Sequence, residues 1–146
     1  MKFLLDTGVA VDLVTGRLPM MGNDDRLSLL REWSDDEVGL SAVTVMQLTQ
    51  GLLTLDEAQI PATRKADIRR RAELLLSVMP VVALDAAAAQ EAAKLKCCRC
   101  PTGERLTDAA ASIAGQAVSG QLTLITKDGQ KWATLGCPSL KWMDWR

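Results

Sequence analysis

Four short segments of this chain, residues 2–5, 38–40, 80–84 and 122–126, run apolar along their length instead of alternating apolar with polar. A strand with one wet face alternates; a strand apolar throughout is buried on both faces, which is the condition of a parallel sheet covered by helices. The intervening stretches have helical spacing. Leu27, Leu29, Leu30 and Trp33 mark a helix over 25–33; Ser41 caps one running to about residue 53; residues 61–78 form a longer, basic one; Asp85 caps an Ala-rich one; and 104–118 is another. Residues 17–24 and 96–103 read as loops. After the fourth strand come the turn Lys127-Asp128-Gly129, a short helix and a Trp-rich end. Trp142 and Trp145 are expected to pack that end onto the sheet. Strands alternating with helices predict an α/β fold, a three-layer α/β/α sandwich around a mostly parallel sheet.

The chain has 146 residues, which fits a single domain over 1–146, and 48% of them are hydrophobic, enough to fill a core and exclude general disorder. The longest apolar runs are about half the ~20 residues that span a bilayer. Asp6 interrupts the apolar stretch that a signal peptide would continue, so a cytoplasmic protein is expected, with no membrane partner. The net charge is -1, and any phosphate contact must come from a local patch. There is no histidine, which excludes Ser-His-Asp and Cys-His catalysis and His-ligated zinc. Acid–base or metal chemistry must run on carboxylates, with Lys or Cys as lesser options. Aromatic residues are 3%, too few for a base-stacking platform.

Ligands of open parallel sheets bind beyond the carboxyl ends of the strands. Three expected strands end at an acid: Asp6, Asp85 and Asp128. Each alone is a good helix cap. Several on one edge repel, and a divalent cation such as Mg²⁺ relieves that repulsion. Thr44, Gln47 and Gln50 recur every three residues and share a polar helix face. Asp108 opens an otherwise small and apolar helix, with Ser112 on the same face.

These pieces in this order resemble the PIN-domain family, specifically the toxin ribonucleases of VapBC toxin–antitoxin pairs. "FLLDTGVAVDLV" is similar to the family's opening strand and Asp-Thr turn, "LSAVTVMQLTQGL" to the segment bearing its second acid, "LTDAAASIAGQAVSGQLTLIT" to the helix bearing the third, and "TKDGQKW" to the turn bearing the fourth. The resemblance implies a PIN-like sandwich and a Mg²⁺- or Mn²⁺-dependent endoribonuclease that hydrolyses single-stranded or structured RNA. It further implies a homodimer and a cognate antitoxin protein covering the acidic site. Carried over, the metal ligands are Asp6, Asp108 and Asp128, with Thr7 and Thr126 in supporting hydrogen bonds or phosphate contacts.

Three departures stand out. Gln47 occupies the position of the second acid, so the site loses a charge and should hold metal more weakly. Gly8 replaces an Asn, and Lys131 stands where a further acid often precedes the aromatic, here Trp132. The alternative reading is therefore a catalytically inactive PIN-fold module that binds RNA or protein. A receiver-type phosphoacceptor domain fits poorly because Thr7, not a second acid, follows Asp6. A dinucleotide-binding fold lacks its Gly-rich phosphate loop. Cys97, Cys98 and Cys100 lack zinc-site spacing and are read, with Cys137, as reduced thiols; metal binding or redox sensing is the minority reading. Arg64, Lys65, Arg69, Arg70 and Arg71 read as a solvated helix face, with an RNA groove as the alternative. Lys94, Lys96, Arg99 and Arg105 form a second basic group.

Overall fold

A computed structural model describes residues 1–16, 37–98, 103 and 105–145. The helix expected over 25–33 and the loop before it lie outside these residues. The described elements are β1 (Phe3–Leu5), α1 (Thr7–Thr15), β2 (Val38–Ser41), α2 (Ala42–Leu53), a 3₁₀ turn (Leu55–Glu57), α3 (Ala62–Val78), β3 (Val81–Val82), α4 (Ala86–Cys97), α5 (Asp108–Ser119), β4 (Thr123–Thr126), α6 (Gly129–Leu135) and β5 (Lys141–Asp144).

The five strands form one sheet in the order β3-β2-β1-β4-β5, and every pairing is parallel. β1 is central, with Leu4 level with Gly39 on one side and Leu124 on the other. Successive strand residues face opposite ways, and Leu4 and Leu5 accordingly enter different cores. Leu4 and Leu124 pack with Leu95, Ile113, Ala114 and Trp132 from α4, α5 and α6. Leu5, Leu40 and Ile125 pack with Val9, Val14, Leu48 and Ala72 from α1, α2 and α3. Both faces are thereby covered, which is why these strands carry no polar alternation.

Local chemistry sets the boundaries. Asp6 takes an extended conformation and caps α1 by accepting from the Thr7 amide; Gly16 ends that helix at φ +68°, a left-handed conformation that costs a glycine nothing. Ser41 is both the last residue of β2 and the cap of α2, its hydroxyl accepting from Val43 N at 2.9 Å. Because β2 turns into a helix there, β3 has no partner beyond Val82, which lies level with Ser41. That is why the expected strand over 80–84 shortens to two paired residues.

The helix expected to start at residue 104 starts at Asp108. Thr107 holds it there, with an extended backbone and a hydroxyl accepting from Ala110 N at 3.1 Å. The Trp-rich end holds a fifth strand. Trp142 lies level with Leu124, and Trp145 is buried, its amide donating to Thr126 O at 2.7 Å.

Helices α4 and α5 meet at Gly115. A Cβ there would lie 2.4 Å from Ala88 O and 2.6 Å from Ala92 N. The small residues of α5 thus serve close helix contact.

Candidate active site at the carboxyl edge of the sheet

Parallel pairing brings the ends of β1, β2, β4 and β5 to one edge of the sheet. Asp6, Ser41, the run from Thr126 to Asp128, and Asp144 all lie on it. Asp6 is the most buried acid of the expected set. Its Oδ1 accepts from the Thr7 amide and its Oδ2 from the Thr126 hydroxyl, each at 2.8 Å. Thr126, itself fully buried, accepts in turn from Asp128 N at 3.0 Å. One hydroxyl therefore joins the two acids that flank the β1–β4 seam. Burial pushes the Asp6 carboxyl above the usual carboxylate range and the nearby Asp128 charge adds to this; the bonds from Thr126 and Thr7 and the Lys131 charge act the other way.

Gln47 comes to the same place from α2. The Thr7 hydroxyl donates to Gln47 Oε1 at 2.6 Å and lies 2.9 Å from the Thr44 hydroxyl. With Thr7's one proton committed to Gln47, Thr44 is the donor to Thr7. The face expected from Thr44, Gln47 and Gln50 is graded: Thr44 is buried, Gln47 half-buried and Gln50 exposed. It leads from the core to the edge, and Gln47 is where it meets Thr7. Gly8, next along, is exposed, and a Cβ on it would meet only the Lys127 side chain, at 3.7 Å.

Asp108 takes a different path. Its side chain is 87% exposed and forms an ion pair with Lys96 of α4. That hydrogen bond and charge hold its carboxyl below the usual range. Of the expected acids, the structure brings Asp6 and Asp128 together with Gln47, Thr7 and Thr126, and turns Asp108 toward Lys96.

Two participants escape a reading of the sequence. Asp12 of α1 is 8% exposed and its Oδ2 lies 2.7 Å from Lys127 Nζ, so the Lys127 stem spans from the end of β4 to α1 beside the site. Asp144 stands level with Thr126, close against Gly129, where a Cβ would meet its Oδ2 at 3.1 Å. Asp12 lies among apolar neighbours at helical spacing, a weak signal; its partner 115 positions away gives none.

The basic run on α3 is largely occupied locally. Arg69 pairs with Asp56, and Arg70 and Arg71 both pair with Asp67, while Lys65 donates to Asp56 O. Lys94 pairs with Glu91 as Lys96 does with Asp108. These pairings suit solvated helix faces rather than a groove of free cations.

The PIN domain family model matches residues 3–133, nearly the whole chain. The chain belongs to the PIN domain family. Comparison with curated protein sequences returns no match. Among solved structures, this PIN domain is similar to DNA-bound VapBC from Salmonella typhimurium (18% identity, TM-score 0.76, covering 100% of this chain and 99% of the other). It is also similar to VapBC2 from Rickettsia felis bound to a promoter DNA fragment (17%, 0.74, 100% of both chains). A third likeness is to VapBC-5 from Mycobacterium tuberculosis (24%, 0.68, 98% of both). At these identities the likeness establishes the fold.

PIN domains are generally divalent-metal-dependent nucleases. The residues of this edge fit such an ion poorly. Among the described residues no group of three or more acids or cysteines converges to hold a metal. The position of the expected second acid is the neutral Gln47, and the expected third acid is paired with a lysine. A divalent ion needs several hard oxygen donors, chiefly carboxylates, to offset its loss of water.

Proposed function

We propose that this PIN domain is a member of the toxin–antitoxin type that works by binding, with metal-dependent hydrolysis lost or residual. The observation that carries the reading is the Lys96–Asp108 ion pair, which takes the third expected carboxylate away from Asp6 while Gln47 leaves the second uncharged. The remaining edge is polar and built: a half-buried acid, three threonine hydroxyls and an amide joined by hydrogen bonds. The partner that fits is an antitoxin-type protein laid across that edge. The likeness to VapBC-5, a member of the VapBC family of toxin–antitoxin systems, supports this choice. Cytoplasmic location and a homodimer belong to the same proposal; no helix among the described residues is long and apolar enough to cross a membrane.

A second reading keeps a Mg²⁺- or Mn²⁺-dependent single-strand ribonuclease with Asp6, Asp128 and a rearranged Asp108 as ligands. It is favoured by the nearness of Asp6 and Asp128, whose charges act on each other. Calorimetric titration of the full chain with Mg²⁺ and with Mn²⁺, beside cleavage of single-stranded RNA, separates the two. Binding without chemistry predicts no saturable uptake at millimolar ion and no cleavage, together with co-purification of the chain with the product of an adjoining small reading frame. Cleavage that needs the ion and is abolished by Asp6→Asn overturns it in favour of the nuclease.

A further inference from the structure

Cys98 ends α4 as its capping residue, its amide donating to Leu95 O at 3.1 Å. Cys137 lies in the turn between α6 and β5, where its carbonyl accepts from Leu140 N. Their sulfur atoms are 2.9 Å apart, although 39 positions separate them in the chain. Bonded sulfurs are ~2.05 Å apart, so about 0.9 Å of approach separates contact from a bond. Both thiols are half-buried, while the neighbouring Cys97 is exposed on the last turn of α4. Cys137 packs against the core formed by Leu95, Trp132 and Leu140, which fixes its side of the pair.

We propose that Cys98 and Cys137 are a redox modification site, a dithiol that a peroxide converts to a reversible intramolecular disulfide. This inference is independent of how the carboxyl edge is used. The Cys98 thiolate attacks the peroxide oxygen, breaking the O–O bond, and becomes a sulfenic acid as hydroxide leaves and is protonated to water. The Cys137 sulfur then attacks the Cys98 sulfur, giving up its proton and displacing the hydroxyl group as a second water. Two thiols lose two protons and two electrons, and hydrogen peroxide is reduced to two waters. The order follows from position. Burial and the Cys98 neighbour push the Cys137 thiol up to about 11, so it ionises reluctantly, while its sulfur already lies 2.9 Å from the Cys98 sulfur that it attacks in the second step. Adjacent cysteines bridge only with strain, which disfavours Cys97–Cys98 as the competing product.

The bond would tie the end of α4 to the turn that delivers β5, joining a helix layer to the edge strand of the sheet. Closing a loop of this length restricts the unfolded chain and raises the melting temperature by roughly 5–15 °C.

The test treats the full chain with hydrogen peroxide, then measures intact mass and maps the cross-linked peptides without reduction. The expected result is a loss of two hydrogens, a single peptide pair joining Cys98 to Cys137, and a rise in melting temperature that dithiothreitol reverses. A Cys97→Ser/Cys100→Ser chain should behave identically, and Cys137→Ser should lose the bridge while its free form folds and melts as before. A bridge mapped to Cys97 or Cys100, a bond between two chains, or oxidation of Cys98 beyond the sulfenic state with no bridge overturns the proposal.

Discussion

The Thr126 hydroxyl donates to Asp6 Oδ2 at 2.8 Å across 120 positions of sequence, and the Thr126 hydroxyl oxygen itself accepts from the Asp128 amide. This one group satisfies both strands of the central seam. Thr126→Val keeps the shape and removes both bonds, leaving a part-buried carboxylate oxygen and an amide without these partners. The expected loss is about 1–3 kcal/mol by urea denaturation at neutral pH. Thr126→Ser should retain most of the stability.

Asp6 sets a pH dependence with a definite sign. Its folded carboxyl titrates above the unfolded value of 3.8, chiefly through burial. Between those two values the folded state binds more protons than the unfolded one. The contribution is therefore present at low pH and is lost as pH rises through the folded value. Asp6→Asn keeps the cap on Thr7 and removes the titration. Denaturation curves from pH 4 to pH 8 should show the variant gaining on the parent chain as pH rises, with the difference constant once Asp6 is fully ionised.

Gln47→Glu tests whether one charge separates this edge from a metal site. The Thr7 hydroxyl can donate to the new carboxylate as it does to the amide. Four carboxylates, those of Asp6, Asp128 and Asp144 and the introduced one, would then share the edge. Mn²⁺ uptake by calorimetry, not saturable in the parent chain at millimolar ion, should become saturable there. Without metal the added like charge should lower stability by about 1 kcal/mol at neutral pH.

Gly115 predicts a large effect far from the edge. An added methyl would meet the backbone of Ala88 and Ala92, which cannot swing aside as a side chain can. Gly115→Ala should cost about 2–3 kcal/mol despite the better helix propensity of alanine. Thermal unfolding reads this directly.

What the sequence discloses of this molecule is what local pattern encodes. β1, β2 and β4 are built around short apolar runs, and Asp6 and Ser41 are strong caps, so those boundaries are legible. β5 is not, because Lys141-Trp142-Met143-Asp144 is an edge strand with most of its residues exposed and no apolar run. The edge of the sheet is legible through Asp6, Asp128 and the spacing of Thr44 and Gln47. The direction of Asp108 is not: it depends on where Lys96 ends up when α4 packs on α5 through Gly115. The Asp12–Lys127 and Cys98–Cys137 pairs are likewise created by topology, joining residues that carry no mutual signal along the chain.

The order of the strands also governs how the chain is made. β1 is the centre of the sheet, yet its neighbour β4 follows it by 120 positions, as Phe3 opposite Thr123 shows. At ~5–20 residues per second a ribosome needs roughly 6–24 s between the two. Throughout that interval the β4-facing backbone of β1 has no native partner and is open to pairing with other chains. A message cut short before the β4 codons therefore yields a chain that cannot close its sheet, however much of the family's length it already contains.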